Sequence, residues 1–369
     1  MNKVAVITDT HFGAMNDSSS LAKSMAKFYS QIFFPTLDKH SISTVLHLGD
    51  FGDRRKYINF ETARFIEDTY RAPLRQRGIA EYVLIGNHDC YFKHSTNVNS
   101  IEELCRHDGT VTVIKHPVEL ELCGHTMLFL PWICDENQEA SMRLIRESKA
   151  SLVLGHLQLT GFQMYRGMPC DEDGLNPSDF DRFQLVLSGH FHHKSTRGPV
   201  NYLGAPYPMM WLDYKDPRGF HLLDLDRMQV EFIENPYTIF ARLVYDDEGK
   251  KFDYIEGLVQ KITAPESEFH EARIKVVVKT KTQPYWFELL MDALYKVNAI
   301  DVVVQDDIVV NDDESESRTE DDLKSVDTLS VMTEYIDTLQ ISADKNELKQ
   351  YLRGLYGEAV AADQSARLS

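Results

Sequence analysis

The sequence predicts an α/β fold with a buried sheet, and three features predict it. Short apolar runs recur between residue 1 and about 235: Val4 to Ile7, Thr44 to Leu48, Tyr82 to Ile85, Met127 to Leu130, Leu152 to Leu154 and Leu185 to Leu187. Longer stretches of helical character, 20 to 40 and 59 to 77, separate the early ones. The runs are apolar throughout rather than alternating, as strands covered on both faces are. Most of them are followed within a few residues by a polar cluster holding Asp, Asn or His. In sheets with helical crossovers, ligands bind beyond the carboxyl ends of the strands, so these clusters mark one functional edge.

In chain order, the first region runs over 1 to 236 and closes on an alternating segment, Gly219 to Phe232, that predicts a terminal hairpin. Residues 237 to 305 read as a small α+β module. It has a strand at Arg273 to Lys279, a helix with Pro284 in its first turn, and a strand at Ile300 to Gln305. Residues 306 to 322 are dominated by acids with a single arginine, the composition of a solvated linker. Two amphipathic helices follow in 323 to 369. Leu323, Val326, Leu329, Ile336 and Leu339 share one face of the first, and Leu348, Tyr351, Leu352, Leu355 and Tyr356 one face of the second. Two short helices cannot bury both stripes on each other. They fold back on the body, or they offer a helix-in-groove surface to a partner.

Composition bounds the function. Cys90, Cys105, Cys123, Cys134 and Cys170 are five in number with no C-x-x-C pair, so a disulfide frame and a thiolate zinc site are both excluded. No run reaches the roughly 18 apolar residues of a membrane helix, and a cytoplasmic protein is expected. The net charge of −18 argues against gripping nucleic acid through a generally basic surface.

The clusters themselves are Asp9-Thr10-His11, Gly49-Asp50-Phe51-Gly52-Asp53-Arg54, Gly86-Asn87-His88-Asp89, Gly155-His156 and Gly189-His190-Phe191-His192. Asp9 and His11 stand two apart and project to one side, as do His190 and His192. Two carboxylates, four imidazoles and one amide, without a thiolate, suit Mn, Fe or Zn ions, with manganese favoured by the oxygen share. Two such ions stand about 3.5–4 Å apart and clamp both oxygens of an in-line displacement. Asp50 is the natural bridge, having one carboxylate oxygen for each. Their charge suits a phosphoester and acidifies a bound water.

These motifs resemble the signature of the calcineurin-like metallophosphoesterases over roughly residues 1 to 210. The overall layout is similar to the SbcD-type DNA repair nuclease subunits, the recombination exonuclease subunits of T-even-like phages among them. The resemblance implies a β-sandwich flanked by helices, with a capping domain at 237 to 305 and an acidic linker at 306 to 322. It also implies docking of an SbcC-type SMC-like ATPase through 323 to 360, in a heterotetramer containing a homodimer of the nuclease. The implied activity is a double-strand DNA exonuclease, with single-strand endonuclease activity beside it, requiring two divalent ions, Mn2+ or Mg2+. The alternative with the same centre is a phosphatase of small monoesters or a cyclic-nucleotide phosphodiesterase. The resemblance assigns Asp9, His11, Asp50 and His192 to one metal and Asp50, Asn87, His156 and His190 to the other. It makes His88 the group that contacts the scissile phosphate and assists the leaving alkoxide, with Asp89 orienting the imidazole. A positioned histidine is a common proton donor near neutral pH.

One position departs from that pattern. Many SbcD-type nucleases carry a second active-site histidine three residues after the bridging aspartate, and here that residue is Asp53. It orients Arg54, orients a metal ligand, or is structural. Arg54, Arg55 and Lys56 are candidate contacts to the DNA backbone, or a solvated turn. Lys275, Lys279 and Lys281 either face a DNA strand or block pairing at a sheet edge. His47, His94 and His193 lie near the clusters, and Trp211 and Tyr214 are expected in the core.

Overall fold

The computed structural model describes residues 2–165, 168–170 and 174–306. Two six-stranded sheets lie face to face. The first runs, in spatial order, Gln229–Glu234, Gly219–Asp224, Lys3–Ile7, Thr44–His47, Ala80–Leu84 and Val111–Ile114. Its last four strands are parallel, and the hairpin expected near Gly219 supplies the antiparallel edge. The second runs Ser195–Arg197, Val200–Tyr202, Leu185–Gly189, Leu152–His156, His125–Leu130 and Val118–Leu122. Its four inner strands are parallel.

Side-chain alternation turns the two sheets into four layers. Val4, Val6, Leu46 and Leu84 meet Met127, Phe129, Leu152, Leu154 and Leu187 between the sheets. Ala5, Ile7, Val45 and Val83, one residue out of phase, pack on the first helical layer through Leu21, Met25, Phe28, Tyr70 and Leu74. Leu128, Val153 and Val186 do the same for the second sheet, against Ile145 and Phe180. The six apolar runs therefore divide three and three between two sheets, each strand covered on both faces. The helical stretches at 20 to 40 and 59 to 77 each hold a π turn, Tyr29–Phe33 and Glu67–Arg71. Each π turn comes just ahead of an internal proline, Pro35 or Pro73, where a wider turn accommodates the ring and the missing N–H.

Beyond Pro236 the chain forms a three-stranded parallel sheet, Phe240–Asp246, Arg273–Thr280 and Asp301–Asp306. Helices Phe252–Thr263 and Pro284–Lys296 connect the strands, and the group has its own apolar core around Ile255, Val276 and Leu290. Arg273–Thr280 is the central strand, so its lysines do not guard an edge. Lys275 lies over the Trp211 ring and Lys281 over Phe287. Trp211 is half-buried against Phe240, with ring centroids 4.8 Å apart. The acidic linker and the two tail helices lie outside the described residues. No helix among the described residues is long and apolar enough to cross a membrane.

Candidate metal centre

All five clusters converge at one edge of the sandwich. Asp9 and His11 follow strand Lys3–Ile7, Asp50 follows Thr44–His47, and Asn87 follows Ala80–Leu84, all in the first sheet. His156 ends Leu152–His156, while His190 and His192 follow Leu185–Gly189, in the second. The sheets thus contribute opposite walls of one site, placed beyond the strand ends as α/β geometry predicts.

The backbone is bent to make this possible. Asp9, His11, Asp50 and His190 all hold positive φ, at 51°, 39°, 52° and 88°. Non-glycine residues adopt this region at a cost and keep it where the surroundings over-determine it, which is typical of functional sites. The loops interlock through Asp9 N–H to the Gly49 carbonyl and His11 N–H to the Asp50 carbonyl, both at 3.0 Å. Glycine is needed where they touch. A Cβ on Gly86 would lie 2.2 Å from Asp50, and one on Gly189 would lie 2.0 Å from Thr8 Oγ1.

Seven side chains meet there. His11 Nε2 stands 3.0 Å from His192 Nε2, and Asp9 completes that group. Asn87 Oδ1 lies 3.0 Å from His156 Nε2 and 2.9 Å from His190 Nδ1. Asp50 sits between the two groups, with Oδ2 3.6 Å from His11 Nε2 and Oδ1 3.4 Å from His156 Nε2. Asp9, His11, Asp50 and His156 are buried. Two carboxylates, four imidazoles and an amide oxygen directed into one site are the mixed oxygen and nitrogen donors that divalent cations take. The donor set fits such ions.

Electrostatics sharpen the same contrast. Burial alone would raise Asp50, but His156, His88 and His11 around it hold its carboxyl well below the usual range. Burial raises Asp9, reinforced by Asp50 and opposed by His156 and His11. Burial lowers His11 and His156, yet the carboxylates facing them win and raise each to about 9. Burial, with His156 beside it, depresses His190 to about 3.

Supporting contacts set ring orientation. His156 Nδ1 donates to the Leu48 carbonyl at 2.8 Å, which turns Nε2 toward Asn87 and Asp50. His47 is buried with Nδ1 accepting from Gly49 N–H and Nε2 3.0 Å from Thr10 Oγ1, so it ties the first two loops together. Trp132 lies against His190, ring centroids 5.0 Å apart. Arg218 donates to the His192 carbonyl and to Asp213 and Asp216, and Asp216 also pairs with His193 Nδ1. No sequence pattern singles out Trp132 or Arg218, since each acts through contacts remote in the chain. His94 is exposed and stands apart from the centre.

His88 sits at the mouth, half-buried. Its peptide N–H donates to Asp50 Oδ1 at 2.8 Å, and its ring Nδ1 lies 2.7 Å from the Asp53 carbonyl. The expected pairing of Asp89 with the His88 ring is corrected by the structure. The Asp89 carboxylate accepts from the peptide N–H groups of Phe51, Gly52 and Gly86, at 3.0, 3.2 and 2.8 Å. It is buried beneath the turn and clasps the Asp50 loop to the Asn87 loop, pointing away from the imidazole. Arg54 is bound to Asp17 and Asn16, at 2.6 and 2.7 Å, rather than free. With Arg55, Lys56, Tyr57 and Tyr91 it lines a cavity of about 240 Å³ that begins at Asp53.

The sequence profile of the calcineurin-like phosphoesterases matches residues 2–194. Exonuclease subunit 1 of Enterobacteria phage T4 is 32% identical over 329 residues, spanning 87% of this chain and 89% of that protein. Among solved structures, a novel archaeal phosphodiesterase is 13% identical with a TM-score of 0.33, covering 63% of this chain and 99% of its own.

Proposed function

This chain belongs to the calcineurin-like phosphoesterase family, and on that footing we propose that it is a metal-dependent DNA nuclease. The observation that carries this reading is the meeting of seven candidate ligands, Asp9, His11 and His192 on one side, Asn87, His156 and His190 on the other, with Asp50 within 3.6 Å of His11 and 3.4 Å of His156. The T4 relative, named as an exonuclease subunit, directs the substrate choice toward a nucleic acid, and the resemblance to the SbcD-type subunits makes it DNA. On this reading Asp9, His11, Asp50 and His192 hold one divalent ion, and Asp50, Asn87, His156 and His190 hold the other, with Mn2+ the preferred metal. When bound, the ions supply positive charge to the phosphodiester oxygens and acidify a water to serve as nucleophile.

The chain's own residues do the rest. The Asp50 peptide and side chain hold the loops of both clusters at a fixed separation. His88, anchored through Nδ1 on the Asp53 carbonyl, keeps Nε2 for the substrate, where it contacts the scissile phosphate and, with the ring protonated on both nitrogens, donates the Nε2 proton to the departing 3′ oxygen. Asp89 holds the His88 turn by its backbone. On this reading Arg55 and Lys56 meet the DNA backbone, and Arg54 joins them by exchanging its Asp17 partner for a phosphate. An acidic chain needs that local positive charge, so metal occupancy governs substrate binding as well as chemistry.

The remainder of the assembly follows the same reading. Residues 1–236 form the nuclease domain, 237–305 cap it, 306–322 link, and 323–360 dock an SMC-like ATPase. Tyr57, Val98 and Leu104 line the 240 Å³ cavity and are exposed, and on this reading a homodimer of the nuclease covers that apolar face. Deleting 323–369 is expected to abolish capture of the ATPase in a pull-down and to spare basal cleavage; capture that survives the deletion would overturn the docking assignment. The deciding assay incubates the purified protein and Mn2+ with labelled double-stranded DNA, p-nitrophenyl phosphate and bis-p-nitrophenyl phosphate in parallel. DNA cleavage is expected; turnover of the small esters with none on any DNA would overturn the nuclease reading.

A further inference from the structure

Asp53 occupies the place where similar nucleases carry a histidine, and its surroundings give it a different task. Its backbone is fixed on the ligand loop. Asp53 N–H donates to the Phe12 carbonyl at 3.1 Å, Phe12 N–H donates to the Phe51 carbonyl at 2.9 Å, and Phe12 pairs with Gly52 in a β-bridge. The residue is therefore held one step from His11. Its carboxylate Oδ1 lies 3.5 Å from His11 Nδ1, while His11 Nε2 points the other way, into the cluster with His192 and Asp50. Its carbonyl oxygen receives His88 Nδ1 at 2.7 Å. The two rings stand edge to face, 4.8 Å between centroids, with Asp53 against the Nδ1 of both. Arg54 is turned to Asp17 and Asn16, so the Asp53 carboxylate is not its hydrogen-bond partner.

A neutral imidazole carries one proton, and the nitrogen that binds a metal must be the bare one. For His11 the carboxylate 3.5 Å from Nδ1 favours the proton on that nitrogen, which leaves Nε2 bare for a metal. Acceptors outside the ligands fix the tautomer and ring angle, and a carboxylate in that role also makes the imidazole a stronger donor. Among the ligand histidines, His156 has a neutral carbonyl behind it, that of Leu48, whereas His11 has a carboxylate. The two halves of the centre are therefore unequal.

We infer that Asp53 is a positioning residue that orients His11 for metal binding through its carboxylate. The assignment rests on the reading that the Asp9, His11, Asp50 and His192 group holds a metal ion. Replacing the carboxylate removes the charge behind His11 but leaves the carbonyl that anchors His88. The loss then falls on one metal, not on both and not on the fold.

The experiment is a Mn2+ titration of the metal-free full-length chain, followed by the EPR signal of free Mn2+, for the parent, Asp53→Asn and Asp53→Ala. The parent is expected to bind two ions. In Asp53→Asn one dissociation constant should rise roughly 10–100-fold while the other is unchanged, and Asp53→Ala should show at least as large a loss. Melting temperatures of the metal-free chains should match, and excess Mn2+ should restore turnover of Asp53→Asn. Unchanged constants in both variants would overturn the assignment. Equal weakening of both ions with a lower melting temperature would also overturn it, since that marks a loop scaffold. A parent that binds no Mn2+ would instead defeat the metal reading itself.

Discussion

Replacing His88 with alanine separates proton transfer from metal binding. The peptide N–H that His88 gives to Asp50 Oδ1 survives the substitution, so the shared carboxylate keeps its 2.8 Å contact. What is lost is the half-buried ring, with its hydrogen bond to the Asp53 carbonyl and its edge on His11. A hydrogen bond of that kind contributes about 1 kcal/mol to folding, so the variant should fold and keep both metals. A positioned general acid contributes roughly 10²–10⁴-fold, or about 2.7–5.5 kcal/mol of barrier at 1.36 kcal/mol per decade. That contribution matters for a 3′ alkoxide, a poor leaving group, and little for p-nitrophenolate, which departs without a proton. Cleavage of labelled DNA by His88→Ala should therefore fall within that range, while bis-p-nitrophenyl phosphate turnover falls by less than about tenfold. Elemental analysis should find the parent's metal content. Equal loss on both substrates would refute the proton-transfer role, and loss of a metal would show His88 to be a ligand.

Gly86→Ala places a Cβ 2.2 Å from Asp50 N and Oδ1, so it should displace the shared carboxylate and lower Mn2+ content by elemental analysis without unfolding the sandwich. In the metal-free chain His11 and His156 are raised to about 9, so at pH 7.5 both carry protons that metal must displace. Calorimetry of Mn2+ binding in buffers of different ionisation enthalpy should report release of about two protons at pH 7.5, with affinity rising as pH approaches 9. Away from the centre, Asp108 pairs with the buried Arg71 and with Arg75. Burial opposes its charge, but Thr110 and Arg75 hold its carboxyl far below the usual range. A depressed carboxyl stabilises the fold above its unfolded value of 3.8 and loses that contribution as pH falls below it. Asp108→Asn should cost about 1 kcal/mol at pH 7, well short of a broken buried pair, because Asp108 is only partly buried, Arg75 is exposed and Arg71 keeps Glu81. In denaturant melts the difference should shrink toward pH 3.

Five of the six strand ends were legible because an apolar run closes on a distinctive cluster, such as Leu84-Ile85-Gly86-Asn87-His88. The division into two sheets was not. Leu152 to Leu154 and Leu185 to Leu187 are buried on both faces just as Val4 to Ile7 is, and nothing in such runs says which sheet a strand joins. Strand Phe240–Asp246 was missed because Arg242 and a closing Asp-Asp-Glu interrupt its apolar pattern. The seven candidate ligands were readable as residue types, since a mixed carboxylate and imidazole set has few other uses. Asp89 was misplaced because a sequence shows adjacency to His88 and not the backbone N–H groups of Phe51 and Gly52, brought in from a loop more than thirty residues earlier. Arg218 lay beyond reach for the same reason, its partner being the carbonyl of His192 rather than any side chain a motif could display.

Anomalous diffraction from crystals soaked in Mn2+ tests the shared-carboxylate centre most directly. Two peaks are predicted, one among Asp9, His11 and His192 and one among Asn87, His156 and His190, both in contact with Asp50. A single peak, or two peaks that do not share Asp50, would contradict the account.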